Sequence, residues 1–578
     1  MSPLTFNIIR QTTQRSAARR GTLVMSNSGT MNSSSTETND DSTSASKRAI
    51  ETPGCFMYSV KGSVPHLTPD TLRLQDFGGV HISMEHLLQD HQPNGFEKWP
   101  SQLTISKYLN LQDMIVLCDI RDPSKFVKAP LNSDRFVSMM THQGVRQLTM
   151  EEYLKVVRVY QPDIITTFAD NVSDPLEPGQ KRIRKSIERS LKWLDLVLAE
   201  RQGYDAVSHD RALEEAKKKE KKEKKEKRKA ESQGNDSDNE QDSAVTTSNI
   251  ATNDYPAPAL GAPEARNAAQ TAKPWTNVSV FAHVIGSQIE QERIRSAVET
   301  SKRSEVDGFV IDTNIIGGSK DEVFGHLKTS INHLPAEKPR LVYGMQAPED
   351  ILRSIAVGAD LFDTSYPFQL TEDGKASLYS FGSSATLSPF ETQLYHSTSG
   401  TNRWINLWDD EHVDKFVPLL EGCECYACKD GRHSRAYIGH LLRTHEMLAT
   451  VLLMSHNMHQ YSKFFACVRE SIQDGSFDRH AKEFHDQFGV EPKPTGQLHA
   501  AQAAVEASIS RRNRLDDEPG KEGSSTTRAD SKDASTEGNR KKKPRGSFVN
   551  KKELKLEKQK LRQQQAAQKE DQEPTQNA

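Results

Sequence analysis

The sequence predicts an α/β fold with buried parallel strands, and two observations predict it. Short apolar runs of strand length alternate with longer segments whose apolar residues recur at helical spacing. Sequence motifs stand at the ends of several of these runs, where barrel enzymes carry their functional side chains. Repeated strand-helix units over this length favour a (β/α)8 barrel over a doubly wound sheet, although the alternation alone leaves both open.

The candidate strands fall in two blocks, at about 52–204 and 273–500. Each is a short apolar run that is typical of a buried strand: 114–118, 163–168, 278–285, 308–311, 340–344 and 359–363. Between them, apolar side chains at helical spacing predict the core faces of helices: Ile183, Ile187, Leu191, Leu194 and Leu198, and later Ile438, Leu441, Leu448 and Leu452.

Three segments are predicted to be disordered: the N-terminal residues 1–50, the insertion 205–272 and the tail 501–578. Their side chains are mainly small, polar or charged, and they bury too little apolar surface to offset the entropy of the chain. The predicted barrel therefore spans residues 51–500 and is interrupted by the insertion. We expect the insertion to extend outward from the surface of the barrel.

The whole-chain net charge of −3 conceals two strongly basic segments. Residues 217–229 carry ten positive and three negative charges, and residues 540–562 carry eleven positive and two negative charges. Such runs can hold nucleic acid through phosphate contacts and the release of counterions. A solvated helix or a charged linker has the same composition, so the sequence leaves both interpretations open.

Residues 1–23 have a composition compatible with a mitochondrial targeting segment. They contain four arginines and several hydroxyl residues, and no acidic residue precedes Glu37. Translation from Met25 would remove this segment. No apolar run in the sequence is long enough to span a bilayer.

A cluster of cysteines predicts a metal site. Cys423, Cys425 and Cys428 lie within six residues, and His456 follows after a helical stretch. Three thiolates and one imidazole make a closed tetrahedral zinc set, which stabilises structure and leaves no open position for catalysis. The long gap before His456 makes the spacing only moderately specific, so unliganded reduced thiols are the alternative. A disulfide is disfavoured, because the chain has six cysteines and nothing that resembles a secretory signal.

The residues around this cluster resemble a known family. Residues 434–442 read SRAYIGHLL, and His456-Asn457 follows later in the chain. Together with the CxCxxC spacing, these residues resemble the zinc signature of the tRNA-guanine transglycosylase family. The TPGC segment at 52–55 resembles the first barrel strand of that family, and the KSxxRSL pattern at 185–191 resembles one of its helices.

The resemblance implies a (β/α)8 barrel with a C-terminal helical zinc-binding subdomain at about 415–475. It implies one structural Zn2+ ion close to a subunit interface, held by the three cysteines and His456. Three nearby histidines, His433, His440 and His445, are less favoured as ligands.

The chemistry of the family requires specific carboxylates. Its members exchange a guanine at the anticodon wobble position of tRNA for a modified deazaguanine base, using one carboxylate as a nucleophile and another as a proton shuttle. The resemblance places Asp363 at the nucleophile's position. Residues 365–374, SYPFQLTEDG, lack both arginines of the segment that follows the nucleophile in active members. The glycine-rich turn that carries the proton shuttle has no match, and its counterpart is expected at about 133–144.

Two other positions lie near family motifs that contact the base. Asp170 is offset by one residue from a base-binding aspartate, and we interpret it as a polar loop residue. Gly286 fits a turn whose Gln-Gly pair contacts the base in the family, but the glutamine is missing.

A complete zinc signature beside eroded catalytic motifs resembles the noncatalytic member of a heterodimeric enzyme in this family. The resemblance implies a catalytic paralogue as partner, tRNA as the bound nucleic acid, and an inactive Asp363. It also implies a cytoplasmic location and peripheral association with the mitochondrial outer membrane. Two alternatives stay open: a self-sufficient transglycosylase that uses Asp363, and a zinc-stabilised RNA-binding barrel with no enzymatic role.

Overall fold

The computed structural model describes residues 3–12, 16–26, 48–88, 99–100, 103–124, 132–141, 143–172, 179–205, 277–314, 318–382 and 403–488, with a few single positions between them. These residues belong to one compact unit, Met1–Leu498. The predicted insertion at 205–272 and the predicted tail at 501–578 lie outside the described residues, apart from a few positions before 220.

The strands and helices of the described residues alternate along the chain. The strands are β1 (Leu4–Gln11), β2 (Arg19–Met25), β3 (Arg48–Thr52), β4 (Gly54–Tyr58), β5 (Gly79–Ser83), β6 (Ile115–Asp119), β7 (Phe136–Thr141), β8 (Gly144–Thr149), β9 (Ile164–Thr166), β10 (Ser279–His283), β11 (Gly308–Asp312), β12 (Arg340–Tyr343), β13 (Leu361–Asp363), β14 (Lys375–Ser377) and β15 (Trp404–Asn406). The helices are α1 (Pro69–Leu72), α2 (Met84–Leu87), α3 (Ile105–Tyr108), α4 (Met150–Tyr160), α5 (Gln180–Arg201), α6 (Glu290–Ser301), α7 (Lys320–Asn332), α8 (Pro348–Ala356), α9 (Ser365–Glu372), α10 (Arg435–Arg443), α11 (Met447–Asp474) and α12 (Phe477–Phe488).

Eight parallel strands close into a barrel, which confirms the predicted fold class. Their order around the barrel is β4, β5, β6, β9, β10, β11, β12 and β13, and β13 pairs with β4 to close the ring. Helices α4 to α8 lie in the connections between successive barrel strands, as a parallel sheet requires. The side chains predicted for the helical core face of α5, from Ile183 to Leu198, are all buried.

One barrel strand was missing from the prediction. Strand β5 has the sequence GVHIS, and the central His81 interrupts the apolar run by which the other strands were recognised. All five residues are nevertheless buried, because the strand pairs on both sides within the barrel. A buried histidine in the barrel interior therefore concealed the strand.

The N-terminal segment corrects the predicted disorder of residues 1–50. Strands β1 and β2 form an antiparallel sheet with β3, which leads into the barrel at β4. Leu4, Leu23 and Met25 pack with apolar residues at the start of the barrel strands, so the sheet covers the amino-terminal end of the barrel. The composition of residues 26–47 had suggested disorder for the whole segment, but residues 4–25 contain enough apolar side chains to fold. Residues 27–47 lie outside the described residues.

A buried ion pair joins this sheet to the barrel. The Arg19 guanidinium donates from Nε and Nη2 to the two carboxylate oxygens of Asp360, at 2.6 Å each. Its nitrogens also donate to the main-chain oxygens of Ala336 and Lys338. The side chains of Arg19 and Asp360 are 1% and 0% exposed. The pair therefore satisfies two charges that would be costly to bury alone.

Helices α10, α11 and α12 and the two-stranded sheet of β14 and β15 follow the barrel. Helix α11 has 28 residues and ends at Gly475, which adopts a left-handed conformation at φ +83°. Ile438, Leu441 and Leu452 are buried as predicted, but Leu448 is 40% exposed. Leu448 lies in the first turn of α11, so its side chain is part of the surface rather than of the core face.

Candidate functional site

The three cysteines and the histidine of the predicted metal site meet in one buried cluster. The Sγ atoms of Cys423, Cys425 and Cys428 lie 3.7, 3.4 and 3.4 Å from Nδ1 of His456. All four ligand atoms lie within 4.8 Å of one another. In a tetrahedral zinc centre, bond lengths of about 2.3 Å to sulfur and about 2.0 Å to nitrogen place S and N about 3.5 Å apart. The donor set therefore fits a zinc ion at its centre.

Local structure aims each ligand at this point. The cysteines lie on a tight loop in which the Cys428 amide donates to the Cys425 carbonyl at 3.1 Å and lies 3.3 Å from its sulfur. His456 lies in the third turn of α11 and is fully buried. Its Nε2 lies 2.8 Å from the carbonyl oxygen of Ser377 on β14. A proton on Nε2 leaves Nδ1 unprotonated toward the sulfurs, which is the tautomer that a metal ligand requires.

The pKa values of three residues of the cluster depart from their ordinary values, because the groups hydrogen-bond to one another. Hydrogen bonding among the thiols lowers the pKa of Cys423 and raises that of Cys425. Burial lowers the pKa of His456, but hydrogen bonds to Cys423 and Cys428 outweigh it and raise the pKa to about 10. Because a metal ligand must be deprotonated, metal binding at this cluster would displace the protons held by the thiols and the imidazole.

The three competing histidines lie outside the cluster. His433 stacks on Tyr437 with ring centroids 5.7 Å apart, and His440 and His445 are exposed. The structure therefore brings together the four residues favoured by the sequence and excludes these alternatives from the same site.

Asp363 lies at the carboxyl end of β13, at the mouth of the barrel, and is 3% exposed. Its Oδ1 accepts hydrogen bonds from both the amide, at 2.8 Å, and the hydroxyl of Ser365. Burial raises the pKa of the Asp363 carboxyl, and the bonds from Ser365 oppose this effect only in part. Helix α9 begins directly after it, where active family members carry arginines. The carboxylate of Asp363 is therefore bonded to the first residue of the helix that follows it.

A second aspartate at the mouth was missed by the sequence analysis. Asp119 ends β6, and its Oδ1 accepts from the Ile120 amide and the Thr166 hydroxyl at 2.6 Å each. Its Oδ2 lies 3.9 Å from Nε2 of His81. Burial acts to raise the pKa of Asp119, but its interactions with the nearby imidazoles of His81 and His283 and the hydrogen bond from Thr166 hold it below its ordinary value. The signal was present in the sequence, because Asp119 directly follows a predicted strand.

Residues 133–144, the expected counterpart of the proton-shuttle turn, do not form a glycine-rich turn at the mouth. They belong to an antiparallel hairpin of β7 and β8, which connects β6 to α4. Gly286 lies in the turn after β10 at φ +145°, and an added Cβ would stand 2.7 Å from the backbone nitrogen of Arg293. Glycine is required there by the close approach of α6.

Asp170 is held by the chain's own cations. Both of its carboxylate oxygens accept from Arg182, at 2.8 and 3.1 Å, and Arg189 and Asn132 donate to it as well. Arg182 and Arg189 come from α5, the helix that carries the KSxxRSL pattern. Asp170 lies in the loop after β9, as the sequence suggested, and it is 1% exposed, so it also anchors α5.

Large apolar side chains are exposed around the metal cluster. They lie on the loop before it, beside α10 and at the start of α11: Val413, Phe416, Val417, Tyr426, Tyr437, Met447 and Leu448. The loop is attached to α10, since the amide of Arg435 donates to the Val417 carbonyl at 2.8 Å. Phe416 and Met447 are 82% and 84% exposed. We call these seven residues the apolar patch. Contiguous exposed apolar surface marks interaction sites, and these residues of one subdomain are candidates for such a surface.

No helix in the described part of the chain combines the length and the apolar character that crossing a membrane requires.

The sequence model of the queuine tRNA-ribosyltransferase family matches residues 18–227 and 262–489 of this chain. The chain is 28% identical to queuine tRNA-ribosyltransferase accessory subunit 2 of Xenopus tropicalis over 464 residues, which cover 76% of this chain and 94% of the relative. It is 29% identical to the human protein of that name over 466 residues, covering 76% and 93%, and 29% identical to that of Danio rerio over 448 residues, covering 74% and 90%.

Proposed function

Because the chain belongs to the queuine tRNA-ribosyltransferase family, we propose that it is the noncatalytic subunit of a heterodimeric queuine tRNA-ribosyltransferase. In this role it supports a catalytic paralogue that exchanges guanine for queuine at the wobble position of tRNAs with GUN anticodons. The relatives named accessory subunits support the existence of such a partner.

One observation carries this proposal, namely the contrast between the two candidate sites. The Cys3His cluster is complete, buried and correctly spaced for a metal. At the mouth of the barrel, by contrast, Asp363, Asp119 and Asp170 are all bonded to groups of the chain itself. A base would have to displace those bonds, and the arginines and glycine-rich turn of active members are missing. The barrel therefore serves as a scaffold while its partner performs the chemistry.

The cluster is proposed to hold one structural zinc ion. Three thiolates and one imidazole are the ligands of closed zinc sites, and all four positions are filled by protein. The ion would tie the cysteine loop to α11 and to β14 through His456 and Ser377. It therefore stabilises the subdomain that carries the apolar patch, and it takes no part in the exchange reaction.

The apolar patch is proposed as the surface that binds the catalytic paralogue. It lies on the zinc subdomain, so loss of the metal and loss of the partner should be linked. We place the heterodimer in the cytoplasm, with peripheral association with the mitochondrial outer membrane, and bound to tRNA. The basic run at 217–229 is a candidate for additional tRNA contacts and lies outside the described residues, apart from one position.

Reconstitution tests the proposed function. This chain, the catalytic paralogue, and an equimolar mixture are each assayed for incorporation of labelled queuine into a tRNA with a GUN anticodon. We expect the mixture to be active and this chain alone to be inactive. Base exchange by this chain alone would establish the self-sufficient enzyme, and no gain from mixing would favour an RNA-binding barrel without an enzymatic partner.

Asp363→Asn should leave the exchange rate of the heterodimer unchanged. The substitution keeps the size of the side chain, and its oxygen can still accept from Ser365. A nucleophile, in contrast, loses its reaction when its charge is removed, commonly by about a thousandfold or more. The measurement is the single-turnover rate of queuine insertion by the reconstituted complex. A rate loss of that size with a normally assembled heterodimer would show that Asp363 is catalytic.

Phe416→Asp should weaken the heterodimer. A central aromatic anchor at a protein interface contributes about 2 kcal/mol or more, which corresponds to about thirtyfold in the dissociation constant. Because Phe416 is 82% exposed, the substitution should not affect the stability of the isolated chain. Calorimetric titration with the catalytic paralogue measures the change. Leu74→Asp is the matched control, since Leu74 is 63% exposed and lies outside the apolar patch. Equal affinities for wild type and Phe416→Asp would place the interface elsewhere.

A further inference from the structure

Gln460 lies one helical turn after His456 on α11 and is 4% exposed. Its side-chain nitrogen Nε2 donates to the Sγ atom of Cys423 at 3.1 Å. Glutamine is rarely buried without a specific partner, because its amide loses hydrogen bonds to water. The partner in this case is a sulfur atom of the metal cluster, which indicates that the side chain of Gln460 is part of the metal centre.

The charge of the occupied centre explains why such a donor is needed. Three thiolates, one neutral imidazole and one divalent cation carry a net charge of about −1. The four ligand residues are all buried, so water cannot solvate this charge. Two N–H groups point at sulfur: the Cys428 amide lies 3.3 Å from Cys425 Sγ, and the Gln460 amide lies 3.1 Å from Cys423 Sγ. Hydrogen bonds to a charged acceptor are the strong ones.

Asn457, the neighbour of His456 on α11, has a different function from Gln460. Asn457 accepts from the Ser377 amide and hydroxyl at 2.8 and 3.0 Å and donates to the Lys375 carbonyl at 2.9 Å. It thereby holds β14 so that the Ser377 carbonyl can accept from His456. Asn457 thus orients the histidine, and Gln460 donates an amide N–H from α11 to a cysteine sulfur.

We infer that Gln460 is a positioning residue of the metal centre, which holds the Cys423 thiolate in place and disperses part of the negative charge of the site. This inference rests on the proposed zinc site and extends it to a residue outside the four ligands. Loss of a group that orients a metal ligand typically lowers metal affinity by about 10- to 100-fold.

The test uses the full-length chain in the heterodimer and replaces Gln460 by methionine, which keeps the volume and removes the donor. Zinc affinity is measured by competition with a chromogenic chelator, and we expect a loss of about 10- to 100-fold. In the cobalt-substituted protein, the sulfur-to-metal charge-transfer band should shift to longer wavelength, because an unbonded thiolate is a better electron donor. Gln460→Glu preserves the shape and replaces the donor by an acceptor, and it should weaken zinc binding at least as much.

Ser462→Ala is the matched control. Ser462 is buried on the same helix and donates to the Asp76 carbonyl at 3.3 Å, away from any sulfur. Its loss should leave the affinity and the cobalt spectrum unchanged, and circular dichroism verifies that each variant is folded. Wild-type zinc affinity and an unshifted band in folded Gln460→Met would overturn the inference while leaving the zinc site intact. A wild-type chain that binds neither zinc nor cobalt would instead overturn the proposed metal centre.

Discussion

Cys428→Ser should release the metal and abolish binding of the catalytic paralogue. A serine hydroxyl is a poor zinc ligand, and the other three groups cannot complete a tetrahedral site. Structural zinc contributes on the order of 10 kcal/mol to the folding of small zinc domains, so its loss should unfold the cysteine loop. Tyr426 of the apolar patch lies within this loop, and Phe416 and Val417 lie in the segment that leads into it, so unfolding of the loop would disrupt the interface.

Elemental analysis of the purified variant measures this effect, with one zinc ion per chain expected for wild type and none for Cys428→Ser. Titration with the paralogue measures the loss of assembly. Cys467→Ser is the matched control, because Cys467 lies outside the cluster and is only half-buried. Retention of a full zinc equivalent by Cys428→Ser, or a metal-free wild-type chain, would contradict the assignment of the cluster as a structural zinc site.

Arg19→Met should destabilise the barrel by about 3–5 kcal/mol, the usual cost of removing one partner from a buried ion pair. The substitution leaves the Asp360 carboxylate buried without its guanidinium, although the Arg340 amide, at 2.8 Å, still donates to it. It also removes two bonds to main-chain oxygens between α7 and β12. The free energy of unfolding in urea measures the change.

Arg20→Met supplies the control for this prediction at the neighbouring position. The Arg20 side chain is 25% exposed and lies 3.9 Å from Glu51, so its loss should cost less than about 1 kcal/mol. Equal destabilisation by the two substitutions would mean that the Arg19 to Asp360 pair contributes no more than an exposed pair.

The same contacts bear on the hypothesis that residues 1–23 are a targeting segment. Cleavage after Leu23, or translation from Met25, would remove β1, nearly all of β2 and the guanidinium that neutralises Asp360. A chain that begins at Met25 should therefore be poorly soluble and should unfold more readily than Arg19→Met. A folded protein lacking these residues would show that the N-terminal sheet is dispensable.

Several features could be predicted from the sequence because they depend on local pattern. Seven barrel strands were visible as apolar runs or as a family motif, and the four members of the metal cluster were identified by residue type and spacing. Two misjudgements had different causes, since one rested on an interrupted apolar run and the other on the average composition of a segment. His81 concealed a strand that is buried on all sides, and the polar residues after 26 obscured the two strands that precede them.

By itself, the sequence determined the barrel class, the Cys3His donor set and the absence of the catalytic motifs, because each is written in short contiguous segments. Only the tertiary structure decided that His456 presents Nδ1 to the three sulfurs, that Asp170 is neutralised by two arginines of α5, and that Arg19 reaches Asp360. Arg19 and Asp360 are 341 residues apart in the chain. The local sequence pattern cannot predict such a contact, because it forms only when the barrel closes and brings the start of the chain against β13, the last strand of the barrel.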